Sequence, residues 1–327
     1  KEYEGKRAAY MEEKEALKSM LSPSEYAAAE GSILNAHYTD PGIISAMYEA
    51  VQLFGFSIGN VLEPACGTGR FIGTMPMALR ESKVYGVELD ELSGRMAKAL
   101  YPKAEITING FENTHYPINF FDLAIGNVPF GNYKVADTKY DKLNFQIHDY
   151  FIAKTLDLVR PGGIIAFITS KGTMDKQNSS VRQYIARRAE LIGAVRLPNN
   201  AFSGANTKVT ADVLFFQKLE SMRDLNAIDW IDLKEDENGL KYNAYFVDHP
   251  EYVVGEMVEI SGPYGSELAC QAAKGSDTIQ NVRDVIFDMA VSHRNIYENR
   301  TMAEATQDQD VIPATPDVRN FTYTMVN

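Results

Sequence analysis

Glu63-Pro64-Ala65-Cys66-Gly67-Thr68-Gly69 decides how this chain is read. It follows a short apolar run, Val61-Leu62, and precedes a stretch of helical character. Small residues at a strand-to-helix turn let the backbone approach a ligand closely, and a helix N-terminus beyond them offers amide groups to an anion. Residue 72 is Ile, so the turn is not Gly-x-Gly-x-x-Gly; it also lacks the Lys-Ser/Thr end of a P-loop. NAD and ATP are therefore disfavoured. Nineteen residues after Gly69, a second apolar run ends in Glu88. A carboxylate there accepts hydrogen bonds from ribose hydroxyls. The expectation is a nucleoside cofactor.

Outward from this turn, strand and helix patterns alternate. Upstream, residues 1–30 read as helix, with a capping-box spacing at Ser22-Pro23-Ser24-Glu25. A second helix starts near Thr39-Asp40-Pro41, carries Ile43, Ile44, Met47, Val51 and Phe54 on one face, and stops at Gly55. Downstream, a helix runs from the turn to about Arg80, with others over 91–100, 147–158 and 181–189. Strands are expected at 61–62, 84–87, 104–108, 121–125, 164–169, 191–196 and 213–216. Residues 131–144 have the composition of a mobile loop, and Pro161-Gly162-Gly163 closes the helix before the fifth strand. The pattern predicts an α/β fold: a doubly wound, mostly parallel sheet of seven strands, with its ligand beyond the carboxyl ends of the central strands.

Acid-x-x-x-Gly-x-Gly followed by an acid after the second strand resembles the class I, Rossmann-like methyltransferases. The resemblance implies S-adenosylmethionine as cofactor. Glu63, Pro64, Ala65, Cys66, Gly67 and Gly69 would cradle its methionine part, and Glu88 with Leu89 its ribose side. Asn127-Val128-Pro129-Phe130 follows the fourth strand, where the cofactor's methyl group should project. The residue types suit methylation of an aromatic amine, whose lone pair is delocalised into the ring. Two acceptors, the Asn127 side-chain oxygen and the Val128 carbonyl, would bind the two amino hydrogens, localise the lone pair and stabilise the developing positive charge. Pro129 stiffens the turn, and Phe130 offers a ring on which a flipped-out base can stack. The tetrapeptide resembles Asn/Asp/Ser-Pro-Pro-Tyr/Phe of amino-methyltransferases, with Val in place of the first Pro; a backbone carbonyl survives that change.

The order of motifs resembles the gamma class of N6-adenine DNA methyltransferases. His37-Tyr38-Thr39-Asp40-Pro41 lies upstream of the glycine turn, where that class contacts the methionine moiety, so Tyr38 and Thr39 join the cofactor set. Leu197-Pro198-Asn199-Asn200-Ala201-Phe202 with Thr207-Lys208-Val209-Thr210 is similar to the segment that touches the flipped adenine, with Phe202 the implied contact. Gly110-Phe111-Glu112 stands where the family usually has Asp-Phe. Phe111 would pack on the cofactor's adenine; a carboxylate contact to its amino group comes from Glu112 or is absent. Leu34 to Thr39, Tyr85 to Asp90, Gly126 to Gly131 and Arg160 to Gly163 are similar to the methyltransferase region of large methylase-helicase proteins of bacterial mobile elements. That similarity implies a covalently linked or associated helicase region as partner.

Composition bounds the rest. The chain begins at Lys1 and reads as a piece of something longer, with a helical segment at 1–33, an S-adenosylmethionine-dependent methyltransferase domain at 34–218 and an acidic extension at 219–327, ending in a strand pattern at Phe321-Thr322-Tyr323-Thr324. No apolar run nears the ~20 residues that span a bilayer. The two cysteines, Cys66 and Cys270, have no metal-ligand spacing and point to a reducing cytoplasm. The net charge of −12 looks wrong for a DNA binder, but from Leu219 onward there are twenty acidic and eight basic residues, which leaves the first 218 neutral. Within them, Lys171, Lys176, Arg182, Arg187, Arg188 and Arg196 form a basic stretch, with Lys171 and Arg182 the expected DNA contacts. The leading expectation is an adenine-specific DNA methyltransferase acting on a base flipped out of the duplex. RNA, a protein glutamine, or a non-catalytic module of a helicase or defence complex are the alternatives.

Overall fold

The computed structural model describes residues 2–23, 25–26, 39–202, 209–262 and 265–298. Along these residues the chain forms α1 (Glu2–Met20), α2 (Pro41–Leu53), β1 (Asn60–Glu63), α3 (Arg70–Thr74), β2 (Lys83–Glu88), α4 (Glu91–Leu100), β3 (Glu105–Ile108), β4 (Phe121–Asn127), α5 (Ile147–Leu158), β5 (Val159–Ser170), α6 (Gly172–Asp175), α7 (Ser180–Ala186), β6 (Ala189–Leu197) and β7 (Ala211–Lys218). Then come β8 (Leu233–Glu235), β9 (Lys241–Asn243), α8 (Ala244–Asp248), β10 (Glu256–Gly262), β11 (Gly265–Gln271) and α9 (Thr278–Val291).

Seven strands make one sheet in the order β3-β2-β1-β4-β5-β7-β6. The pairs from β3 to β5 are parallel, and β7 runs antiparallel between β5 and β6. This is the doubly wound, Rossmann-like sheet that the alternation predicts. The strand order reverses between β1 and β4, so a crevice opens at their carboxyl ends. The turn after β1 and the tetrapeptide after β4 both lie there.

Alternating strand residues divide the core. Leu123, Ile125 and Phe215 face a layer with Ile43, Ile44 and Met47 of α2, whereas Ala124, Phe167 and Leu214 face Phe151, Ile152 and Leu156 of α5. Asp40 caps α2 as its sequence foretells: its Oδ1 accepts from Gly42 N at 2.7 Å, with Pro41 opening the helix. The capping box also forms, Ser22 N donating to Glu25 Oε2 at 2.9 Å and Glu25 N to Ser22 Oγ at 3.3 Å.

Four expectations change. The helix after the glycine turn ends at Thr74 rather than Arg80, because Pro76 cannot continue it. Strand β5 starts at Val159, five residues early, since Val159 pairs with Phe121 across a register shift. Residues 131–144 are tied down rather than loose: Asp137 Oδ2 accepts from Tyr150 OH at 2.8 Å and from Lys154 Nζ at 3.2 Å. The segment after Lys218 is not merely an extension, because α9 buries Val282, Ile286 and Met289 against α2 and the sheet. Residues 321–324 lie outside the described residues. Among those described, no helix is long and apolar enough to cross a membrane.

Candidate active site

A cleft of about 760 Å³ lies at the carboxyl ends of β1, β2, β3 and β4. Residues Glu63 to Thr68, Glu88 and Leu89, Asn109 to Glu112, and Asn127 to Pro129 all line it, together with Thr39. The fold thus gathers segments that are distant in sequence.

The glycine turn is shaped by two positive-φ residues, Gly67 (φ 55) and Gly69 (φ 85). A Cβ on Gly69 would come within 2.4 Å of the Tyr101 ring, whereas one on Gly67 would meet nothing within 4 Å because that residue faces the open cleft. Gly67 N donates to Glu88 Oε2 at 2.7 Å, and Asp90 N donates to Glu88 Oε1 at 2.8 Å. Glu88 therefore stitches the turn to the end of β2. Each of its oxygens keeps a second lone pair for a ribose hydroxyl. Burial pushes its carboxyl above the ordinary range.

Glu63 is 2% exposed, and its Oε2 has no hydrogen-bond partner among the described residues. Burial, reinforced by the negative charge of Glu88, pushes its carboxyl well upward. A buried acid with one unpaired oxygen at the cleft wall is a costly arrangement and a suitable one for a cationic ligand group. The α-ammonium of S-adenosylmethionine is such a group, Glu88 suits its ribose, and the open face of Gly67 leaves it room. Leu89, 76% exposed beside Glu88, supplies an apolar surface at the same wall. Phe111 also lines the cleft, its ring 4.9 Å from that of Phe151.

At the end of β4, Asn127 Nδ2 donates to Thr39 Oγ1 at 3.1 Å. Val128 N donates to Ile168 O at 3.1 Å, which holds the peptide between Asn127 and Val128. Phe130 is partly buried against the α2 side of the core.

Other expected residues fall elsewhere. Phe202 is 1% exposed and belongs to the core, so it is not a surface that meets a base. Arg182 is 1% exposed and spends its guanidinium on Ile231 O at 2.6 Å and Lys176 O at 2.8 Å. Lys171 Nζ donates to Leu268 O. Lys176 binds Asp149, Arg188 lies over the Tyr184 ring at 3.7 Å, and Arg196 is paired with Asp175 and Asp212. Of the six basic residues in that stretch, Arg187 alone is exposed. The basic face is thus largely internal wiring. Tyr38, Thr207 and Lys208 lie outside the described residues. Cys66 and Cys270 are buried free thiols, and burial raises the Cys66 thiol far above its usual range.

The cleft also contains residues that sequence reading passed over: Arg70, Asn109, Tyr133, Lys134, Ile147 and Phe151. Ile147 and Phe151 are one helical turn apart on α5, a spacing that also describes ordinary core residues. Lys134 carries no motif; it reaches Asn144 across the loop.

The family model described as N-6 DNA Methylase matches residues 22–248. Defense against restriction protein B of Escherichia phage P1 is 32% identical over 194 residues, which is 58% of this chain and 8% of the phage protein. Type II methyltransferase M.CvrRI of Paramecium bursaria Chlorella virus XZ-6E is 26% identical over 183 residues, 54% of this chain and 47% of the viral protein. The chain thus spans less than half the length of either relative. A type I restriction-modification methyltransferase subunit from Streptococcus thermophilus superposes with a TM-score of 0.49 at 13% identity, covering 79% of this chain and 59% of that one. With more than two thirds of its residues under the family model, and a cleft whose acids and glycines fit the group, the chain belongs to the N-6 DNA Methylase family and its cofactor is S-adenosylmethionine.

Proposed function

We propose that this protein transfers a methyl group from S-adenosylmethionine to the N6 amine of adenine in DNA. The observation that carries the reading is the setting of Asn127: it ends β4, its amide nitrogen is held by Thr39, and it shares one cleft with Glu63 and Glu88. S-adenosylmethionine supplies an electrophilic methyl group on a positively charged sulfur. The Asn127 side-chain oxygen and the Val128 carbonyl accept the two N–H bonds of the adenine amine. They draw its lone pair out of the ring and stabilise the charge that grows as the methyl group arrives. Pro129 limits how far this turn can relax. The nitrogen gains the methyl group and releases one proton to solvent, so the reaction needs no general base of tuned pKa. An adenine must leave the helical stack to reach the cleft, with Phe130 available beside it. A helicase region working with this module is part of the proposal on the strength of the sequence resemblance.

The test uses labelled S-adenosylmethionine with duplex DNA, single-stranded DNA or RNA, digestion to nucleosides, and mass spectrometry. Label in N6-methyladenine from DNA is expected, falling roughly 100- to 1000-fold in Asn127→Ala. Label in RNA alone would move the reaction to RNA. No label on any nucleic acid, with cofactor bound, would end the proposal in favour of a glutamine substrate or a non-catalytic module.

A further inference from the structure

We infer that Lys154 is a positioning residue for the cofactor: its one ammonium group ties the wall after β3 to the loop after β4, so that the two hold the ligand as a unit. The inference rests on S-adenosylmethionine occupying the cleft and not on which substrate is methylated.

Lys154 stands on α5 and is 6% exposed. Its Nζ donates to Phe111 O at 2.7 Å, to Glu112 O at 3.1 Å and to Asp137 Oδ2 at 3.2 Å. An ammonium has three N–H donors, so all of them are spent. Two go to the backbone after β3 and the third to the loop after β4. Each partner is tied a second time. Thr114 Oγ1 donates to Phe111 O at 2.7 Å; Asp137 accepts from Tyr150 OH at 2.8 Å and from Lys139 N at 3.2 Å.

The two segments so joined both face the ligand space. Phe111 and Glu112 line the cleft from the end of β3, and Tyr133, Lys134 and Val135 line it from the loop. Lys154 and Asp137 lie behind that lining. Beyond Val135 the loop runs along α5, where Tyr140 OH donates to Asp157 Oδ2 at 2.7 Å, and then returns so that Ile147 N donates to Tyr133 O at 2.9 Å. Asp137, in mid-loop, is the point at which this excursion meets the ammonium.

Stability alone does not call for a lysine here. A buried ion pair is often replaced by apolar residues of similar size without loss. The surroundings are apolar enough to accept them, with the Phe111 ring 4.9 Å from that of Phe151 and 6.3 Å from that of Tyr150. What an apolar side chain cannot supply is direction. Three bonds from one nitrogen fix two peptide carbonyls and a carboxylate relative to one another, and those peptides carry side chains of the cleft wall.

The experiment measures binding of S-adenosylhomocysteine to the full chain by calorimetry, with melting temperatures alongside. Lys154→Met strands the Asp137 carboxylate, so the principal variant is Lys154→Met combined with Asp137→Asn, which leaves no unpaired charge and keeps an acceptor for Tyr150. Its Kd should rise by about 10-fold, the lower end of the range for hydrogen bonds to a charged group, with the stoichiometry unchanged. Tyr140→Phe is the control: it removes the bond to Asp157 in the same loop without touching the wall, and should lower the melting temperature while Kd stays within two-fold of wild type. A purely structural Lys154 would behave as that control does, and an unchanged Kd in the double variant would overturn the inference. An equal rise of Kd in Tyr140→Phe would also overturn it, because general loosening of the loop would then account for the loss. Failure of the wild type to bind S-adenosylhomocysteine would overturn the cofactor reading and this inference with it.

Discussion

The side-chain nitrogen of Asn127 lies 3.1 Å from the hydroxyl oxygen of Thr39, and this bond joins the end of β4 to the segment that opens α2. In this arrangement the amide nitrogen faces Thr39. The nitrogen donates to Thr39, and the oxygen is the end to which the proposed reaction gives the adenine amine.

Thr39→Val keeps the side-chain shape and removes the acceptor. The amide then loses its anchor, and kcat should fall by about 3- to 10-fold, the range for one neutral hydrogen bond. Affinity for S-adenosylmethionine should change less, and Thr39→Ser should recover most of the rate. An unchanged kcat in Thr39→Val, measured beside cofactor binding, would remove Thr39 from the positioning of Asn127.

Glu63 makes the stability of the ligand-free protein depend on pH. Its carboxyl is pushed well above the ordinary 4.5 by burial and by Glu88. Above that ordinary value the unfolded chain gives up a proton that the folded chain keeps, so folding takes up a proton and stability falls as pH rises through the raised value. The slope approaches about 1.4 kcal/mol per pH unit for one such group. Glu63→Gln cannot ionise and should flatten this part of the profile, leaving the smaller part due to Glu88. Denaturant midpoints across acidic to neutral pH measure it; equal slopes in wild type and Glu63→Gln would show that the acid ionises freely in the folded state.

The buried cations should behave as structural parts. Arg196 is 0% exposed and meets Asp212 through two bonds, at 2.8 and 2.9 Å, with Asp175 as a further partner. The two carboxylates keep the guanidinium charged despite its burial. Arg196→Ala strands two acids and should cost about 3–5 kcal/mol of stability. Arg182→Met should likewise lower the melting temperature, with no change in the salt dependence of DNA binding. A DNA-affinity loss in Arg182→Met at unchanged stability would return this residue to the nucleic-acid surface.

The parts of the site that were legible in sequence are those whose chemistry is local to a strand end. Glu63, Glu88 and Asn127 each sit where a strand stops, and the apolar run announces the place. What could not be read depends on partners supplied by topology. Arg196 faces Asp212 only because β6 and β7 pair antiparallel in one register. Charge counts along residues 171–196 describe the same cations whether they face solvent or acids. The acidic composition after Lys218 likewise hid the apolar stripe of Val282, Ile286 and Met289, although its helical spacing was present. The loop over 131–144 is polar because its polar groups bind α5: Asp137 takes Tyr150 and Lys154. Polarity there signals anchoring rather than freedom.

Phe202 separates a core role from a substrate role. Its ring is buried in the cluster that holds Ile44, Met47 and Val213, although its sequence context resembles a segment that touches a flipped adenine. Phe202→Ala should therefore open a cavity and cost about 3–5 kcal/mol, while Phe202→Leu, closer in volume, should cost much less. A base-stacking ring predicts the reverse pattern: Leu would fail almost as badly as Ala in KM for DNA, because it has no π-face, and neither substitution would disturb stability. Denaturation and steady-state kinetics on the same two variants distinguish these patterns. The burial of Phe202 predicts a graded loss of stability from Leu to Ala, with KM for DNA unchanged in Phe202→Leu.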